Sequence, residues 1–239
     1  MYNSTIARLT SVEFFAAMPP GLYVCLAAFV SLFSDQTDKT YSSIWKQLLL
    51  LSEILQKNPT IILFGLFAAF ICGSIIRSIP AKWAECLTTF GIPPFFPYKS
   101  VLEKMLANLE NEEKASLIDK ARLPDLSEMS GTSFNYWKDA LCVQAPDAFI
   151  YYQTYEARSR FYTGMFWAGA AGVLGSVYMA YSAYQHESTM FSSSLQLFAL
   201  STALIIAFGL QIRHVREQET RLLLTLFIAL TQQNRQTES

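Results

Sequence analysis

Residues 145–184 read APDAFIYYQTYEARSRFYTGMFWAGAAGVLGSVYMAYSAY, and this segment indicates how the rest of the chain is built. Its first third carries charges, whereas no charged residue lies between Arg160 and Glu187. A helix rises about 1.5 Å per residue, so the uncharged part is long enough to cross a hydrocarbon core of about 30 Å. The segment therefore predicts one helix that begins in water, passes Arg158 and Arg160, and then crosses a bilayer.

The composition of the whole chain is typical of a membrane protein. Of its 239 residues, 52% are apolar and only 15% are charged, against about a quarter in soluble domains. The net charge of -1 argues against a nucleic-acid-binding protein, which normally carries a basic excess. The four cysteines are far apart and show no C-x-x-C spacing, so we interpret them as small buried hydrophobic residues rather than as disulfides.

The first predicted span covers about residues 14–33 and overlaps an interfacial amphipathic helix over residues 1–18. Pro19-Pro20-Gly21 is expected to interrupt the helix, since proline is best tolerated where a helix begins. The apolar part after the prolines is only about 14 residues long, which is short for a full crossing. A cleaved signal peptide is the alternative interpretation of this segment.

The other spans are better defined. Span two runs from Thr60 to Ile76, between Pro59 and Arg77, and follows an amphipathic helix over residues 44–57. Span three is the uncharged segment between Arg160 and Glu187, which begins within residues 145–184, and span four covers about residues 196–212. The sequence therefore predicts an all-α, multi-pass bundle of four transmembrane helices.

The predicted spans divide the chain into four parts. Residues 1–80 contain the interfacial helix, span one, the amphipathic helix and span two, and residues 81–145 form a small helical insert. Residues 146–212 contain spans three and four, and residues 213–239 form a basic exit with a C-terminal helix. The apolar run from Leu222 to Leu230 is too short to cross again, so we interpret it as a docked or oligomer-forming helix.

Lysine and arginine residues near the span ends predict the orientation, because cytoplasmic loops carry an excess of these residues. Arg77 and Lys82 follow span two, Arg158 and Arg160 precede span three, and three arginines follow span four. The connection between spans three and four has neither lysine nor arginine. This bias places the insert and both termini in the cytoplasm, with the chain in an inner or plasma membrane.

Small residues recur along the spans and predict close helix packing. In lipid, small side chains let two helix backbones approach and gain dispersion contact. The alternative is that glycine and alanine are simply frequent in membrane helices. The predicted packing residues are Gly164, Ala168, Gly172, Ser176 and Ala180 in span three, and Gly65, Ala69 and Gly73 in span two.

The arginines at the span ends have two interpretations. They either anchor the helices at the membrane face or form a basic collar that binds anionic lipid headgroups. The five candidates for headgroup binding are Arg77, Arg158, Arg160, Arg213 and Arg216.

The sequence offers little for catalysis. No Asp, Glu, Lys, Arg or His lies inside a predicted span, which argues against a proton-coupled transporter and a voltage sensor. The two histidines, His186 and His214, lie outside the spans, and no ligand spacing indicates a metal site. Glu112-Glu113 is interpreted as a charged surface. We therefore expect no catalytic residue, no cofactor and no metal.

Two functions are compatible with these features. The first is a membrane-embedded scaffold, sensor or partner subunit, which contacts a protein partner or another copy through the insert and the C-terminal helix. The alternative is an oligomeric channel or pore-forming protein, lined by hydroxyl residues such as Ser176, Ser201 and Thr202. The predicted partners are thus the lipid bilayer and a second protein chain, without nucleic acid.

Overall fold

A computed structural model describes residues 2–33, 44–79, 83, 131–185 and 191–238 of the chain. These residues form helices with short breaks and no strand, which confirms the all-α class for this part of the chain. The helices are α1 (Tyr2–Phe33), α2 (Ile44–Lys57), α3 (Pro59–Arg77), α4 (Gly131–Gln144), α5 (Pro146–Gln185) and α6 (Phe191–Glu238). Most of the predicted insert and the connection that contains His186 lie outside the described residues.

The chain divides into two compact units. The first unit comprises residues 2–9, 131–159 and 213–238, and the second comprises residues 10–33, 44–79, 83, 160–185 and 191–212. The boundaries predicted at residues 80, 145 and 212 stay predictions.

Two of the described helices are long and apolar enough to cross a membrane: α3 over Thr60–Arg77 and α6 over Phe191–Leu230. A core helix of a soluble protein would be mostly buried, but only 11% and 22% of the residues are buried in the apolar 18-residue stretches of α3 and α6. Phe64 of α3 and Leu210 of α6 are 73% and 75% exposed. Because α6 is far longer than a bilayer requires, its uncharged residues 191–212 suffice for a crossing. A shorter apolar segment, Ala16–Leu32, lies in α1.

Helix α1 corrects the predicted interruption at Pro19-Pro20-Gly21, because it runs continuously through both prolines. Proline removes one backbone hydrogen bond, but neighbouring helices can hold such a segment in place within an apolar bundle. Here Pro20 is fully buried, and a Cβ built on Gly164 of α5 would lie 3.0 Å from its Cγ. Helix α1 therefore packs against α5 at the point where it continues through the two prolines.

Helix α2 packs through one face against the other helices of the second unit. Ile44 is buried in a cluster with residues of α1, α5 and α6, and Leu48 packs against that cluster. The backbone N–H of Ile44, which has no acceptor within its own helix, donates to Oε1 of Gln196 over 3.2 Å. Trp45 on another face is exposed.

The first unit has its own apolar core. Trp137 and Leu141 of α4 and Tyr152 of α5 are fully buried. They form one cluster with four residues of α6: Leu223, Leu224, Phe227 and Leu230. The apolar run from Leu222 to Leu230 is thus covered within the chain, as the continuation of a 48-residue helix.

Candidate functional site

The most concentrated polar chemistry in the described residues lies beside the core of the first unit, around Glu219 of α6. The hydroxyl of Tyr152 donates a hydrogen bond to Oε1 of Glu219 over 3.0 Å. The buried hydroxyl of Ser159 donates a second hydrogen bond to the same carboxyl group. Tyr152, Glu156 and Ser159 are four and three residues apart, so they share one face of α5. That face meets α6 at Glu219.

Burial raises the pKa of Glu219 above its usual value of 4.5, and the neighbouring carboxylate of Glu156 raises it further. The hydrogen bonds from Ser159 and Tyr152 and the charge of Arg216 act in the opposite direction. The net result is a raised pKa. Glu219 therefore holds a proton at a pH at which an exposed glutamate has lost it.

Glu156 also connects α5 to α4. Its Oε1 lies 2.7 Å from Nζ of Lys138, in an ion pair whose side chains are 24% exposed at Lys138 and 13% at Glu156. The same Nζ lies 5.9 Å from the ring centroid of Tyr152, within reach of a cation–π attraction. A chain of contacts thus runs from α4 through α5 to α6.

The cluster contains carboxyl groups that can bind and release a proton. Among the described residues, no group of three or more His, Cys, Asp or Glu side chains could hold a metal ion. Two polar atoms near this core, Nε1 of Trp137 and Oε1 of Gln153, are buried without a hydrogen-bond partner in the described structure.

The sequence interpretation did not identify Glu219. The sequence contains part of the information that locates this site. The spacing of Tyr152, Glu156 and Ser159 places them on one helix face. Glu219 lies four residues before Leu223, at the start of an apolar stripe. The pairing of that face with Glu219 requires the packing of α5 on α6, which no local pattern contains.

The small residues predicted for span three are mostly buried in α5, and their positions turn around its axis by about 40° for each step of four residues. Gly164, Ala168, Gly172 and Ser176 are buried, and Ala180 is half-buried. A Cβ on Gly164 would lie 3.3 Å from Cγ of Arg77. A Cβ on Gly172 would clash with Oγ of Ser201 and lie 3.0 Å from the hydroxyl of Tyr23. The row thus faces α1, α3 and α6 of the same chain.

The small residues predicted for span two have different environments. Ala69 is fully buried, and a Cβ on Gly73 would overlap the carbonyl group of Ala17 in α1. A Cβ on Gly65, in contrast, would meet nothing within 4 Å. Gly65 therefore does not take part in the close packing of Ala69 and Gly73 within the described residues.

The predicted headgroup-binding arginines differ in exposure in the part of the chain that the structure describes. Arg158 and Arg160 are exposed, whereas Arg77 and Arg216 are half-buried. Arg216 acts on Glu219, and Arg77 packs beside Gly164. Arg213 belongs to α6, and its side chain lies outside the described part. The role of these residues in lipid binding stays a prediction.

Hydroxyl residues predicted to line a pore mostly take part in contacts within the chain. Oγ of Ser176 donates to the carbonyl oxygen of Val173 over 2.7 Å, and Oγ of Ser201 lies 2.6 Å from the hydroxyl of Tyr23. Oγ of Ser194 donates to the carbonyl oxygen of Ser176 over 2.8 Å. Thr202 is half-buried. These bonds connect α1, α5 and α6.

No protein-family model, no curated protein and no solved structure matches this chain. Its function is therefore inferred from its own residues and their geometry.

Proposed function

We propose that this is an integral membrane protein with four spans and cytoplasmic termini, which acts as a scaffold, sensor or partner subunit through its first unit. The observation that carries the membrane assignment is the exposed apolar surface of α3 and α6. Only 11% and 22% of the residues in their apolar 18-residue stretches are buried. Lipid is the environment that covers such a surface without a cost in exposed hydrocarbon.

Spans one and three complete the proposed bundle. The apolar part of α1, Ala16–Leu32, packs against α3 through Gly21 and Gly73. The uncharged part of α5 is less apolar because it contains many tyrosine, serine and glycine residues, yet it is long enough to cross. Its small residues face the neighbouring helices, as interfaces between membrane helices require.

The orientation proposal rests on the arginines. Arg77 ends α3, Arg158 and Arg160 precede the uncharged part of α5, and Arg216 and Arg221 follow the uncharged part of α6. All of these ends lie on one side in a four-span arrangement. The positive-inside tendency makes that side the cytoplasm, together with the first unit.

The first unit offers a surface for a protein partner or a second copy. The apolar side of residues 222–230 is buried in the core of the first unit. A partner would therefore contact a different surface of this unit. Tyr136 and Val143 of α4 are seven residues apart on one helix face, and Val143 is 82% exposed. Tyr151 of α5 is also exposed. We propose that a partner contacts this apolar face of α4.

Two experiments test the membrane placement. The protein should remain in the pellet after alkaline carbonate extraction of membranes and ultracentrifugation; release into the supernatant would contradict the proposal. In a variant that retains only Cys142, a membrane-impermeant maleimide applied to intact cells should not label the exposed thiol. A matched variant with Ser188→Cys in the predicted outer connection should be labelled. Labelling of Cys142 outside would reverse the orientation.

The partner role has its own test. Chemical cross-linking of membranes should join the full-length chain to a second copy or to a partner, and Val143→Glu should reduce that product at least several-fold. Thr225→Glu, at an exposed position of α6, is the matched control. A conductance across planar bilayers that the purified protein alone creates would favour the pore instead.

A further inference from the structure

We propose that Glu219 and the opposing face of α5 form a proton-binding switch, in which protonated Glu219 keeps α4 docked and ionised Glu219 loosens it. The proposal deepens the sensor role, and it rests on the proposed function only for the cytoplasmic location of the site. Its ligand is the proton itself.

The charged and titratable groups around Glu219 come from three helices. Helix α5 contributes Tyr152 and Glu156, together with the hydroxyl of Ser159; helix α6 contributes Arg216; and Lys138 of α4 reaches Glu156. The cluster therefore contains two carboxyl groups and two cations. Of the two cations, Lys138 is bonded to Glu156 and not to Glu219 in this arrangement.

Protonation decides whether this arrangement is stable. When Glu219 is neutral, it accepts the Tyr152 hydrogen bond and places no second negative charge beside Glu156. When Glu219 ionises, two carboxylates repel each other in a partly buried site, where charge interactions are stronger than in water. Burial and Glu156 raise the pKa of Glu219, so the transition lies above the usual range of a glutamate.

The switch is connected to α4 through Lys138. Ionised Glu219 competes with Glu156 for the Lys138 ammonium group, the α4 cation of the cluster. Lys138 directly follows Trp137, which is fully buried in the core with Leu141 and Phe227. A change in the position of Lys138 therefore changes how α4 packs on α5 and α6. Trp137 is a natural reporter of this change.

The test uses the full-length chain in detergent micelles, with Trp137 as its single tryptophan after Trp45→Phe, Trp83→Phe and Trp167→Phe. As the pH is raised through the range above the usual carboxyl pKa, Trp137 emission should shift to longer wavelength and acrylamide quenching should increase. Glu219→Gln should keep the low-pH signal at every pH. Glu217→Gln, two positions away and on another side of the helix, should titrate like the parent protein.

Glu156→Gln supplies a second measurement that does not depend on removing Glu219. Loss of the neighbouring charge should lower the pH of the transition midpoint. A flat Trp137 signal in the parent protein, or the same transition in Glu219→Gln, would overturn the switch. Because this titration needs neither a membrane side nor a partner, its failure is distinguishable from failure of the labelling and cross-linking experiments.

Discussion

Gly21 of α1 and Ala69 of α3 approach so closely that a Cβ built on Gly21 would overlap the Ala69 carbonyl group. The contact is reciprocal, because a Cβ on Gly73 would overlap the carbonyl group of Ala17. Backbone atoms cannot move aside as the end of a flexible side chain can. The two glycines therefore set the separation of the two helices.

Gly73→Ala should destabilise the bundle by about 1–3 kcal/mol, because the added methyl group forces α1 and α3 apart. Gly65→Ala is the matched control on the same helix, since its methyl group would meet nothing within 4 Å. Unfolding in mixed micelles with increasing SDS measures both. Equal stability of the two variants would contradict the observed α1–α3 contact.

The Tyr23–Ser201 hydrogen bond should contribute about 0.6 kcal/mol to the packing of α1 on α6, as is typical between membrane helices. The hydroxyl oxygens are 2.6 Å apart in the second unit. Tyr23→Phe and Ser201→Ala each remove one partner, and the double variant completes a thermodynamic cycle. A coupling energy of zero in SDS unfolding would show that the two hydroxyl groups do not interact in the membrane protein.

Stability should fall as the pH rises through the transition of Glu219. The pKa of Glu219 is raised in the folded protein, so the folded state binds more protons than the unfolded state between pH 4.5 and that pKa. The folded state therefore loses stability as the pH rises through this window. Above the pKa of folded Glu219, the whole contribution of this group has been lost. Tyr152→Phe removes a hydrogen bond that lowers the pKa, and should move the transition to higher pH. Thermal unfolding over a pH series measures both, with Glu219→Gln as the pH-independent reference for this group.

The Lys138–Glu156 ion pair should contribute more than an exposed pair, because both side chains are largely shielded. Lys138→Met keeps the alkyl chain on the Tyr152 ring but leaves Glu156 without this cation. We expect a loss of about 1–3 kcal/mol at neutral pH. Combining it with Glu156→Gln should recover part of that loss, and strictly additive losses would mean that the pair contributes nothing.

Arg158→Gln with Arg160→Gln should reduce binding of anionic phospholipid if these exposed arginines contact headgroups. Each arginine near an anionic surface contributes about 1 kcal/mol. Lys46→Gln with Lys57→Gln removes two exposed charges from α2 and is the matched control. Anionic lipid retained on the purified protein is measured by mass spectrometry. Equal retention in the two double variants would exclude a specific role of the α5 arginines.

The all-helical class was predictable from the sequence because it depends on local spacing and on apolar length. The rule that small residues four positions apart pack against a neighbouring helix predicted only some of the contacts. Each step of four residues turns a helix by about 40°, so Gly65 lies about 80° away from Gly73 around the helix axis. Gly73 faces α1 closely, as Ala69 does, while a Cβ on Gly65 meets nothing within 4 Å.

Two other features required tertiary information. The rule that proline interrupts a helix holds best in water, and it did not predict continuous α1, in which Pro20 is buried against α5. The partners of residues 222–230 are Trp137, Leu141 and Tyr152, which lie at least 70 residues earlier in the sequence. The position of Glu219 follows from that same packing.

The core of the first unit also constrains the order of events during protein synthesis. Trp137 and Leu141 leave the ribosome well before Leu223 and Phe227, the residues that cover them. Until α6 has been translated as far as Leu230, the indole of Trp137 has no finished core to enter. During this interval the apolar side of α4 stays exposed, as in other folding intermediates whose core is incomplete.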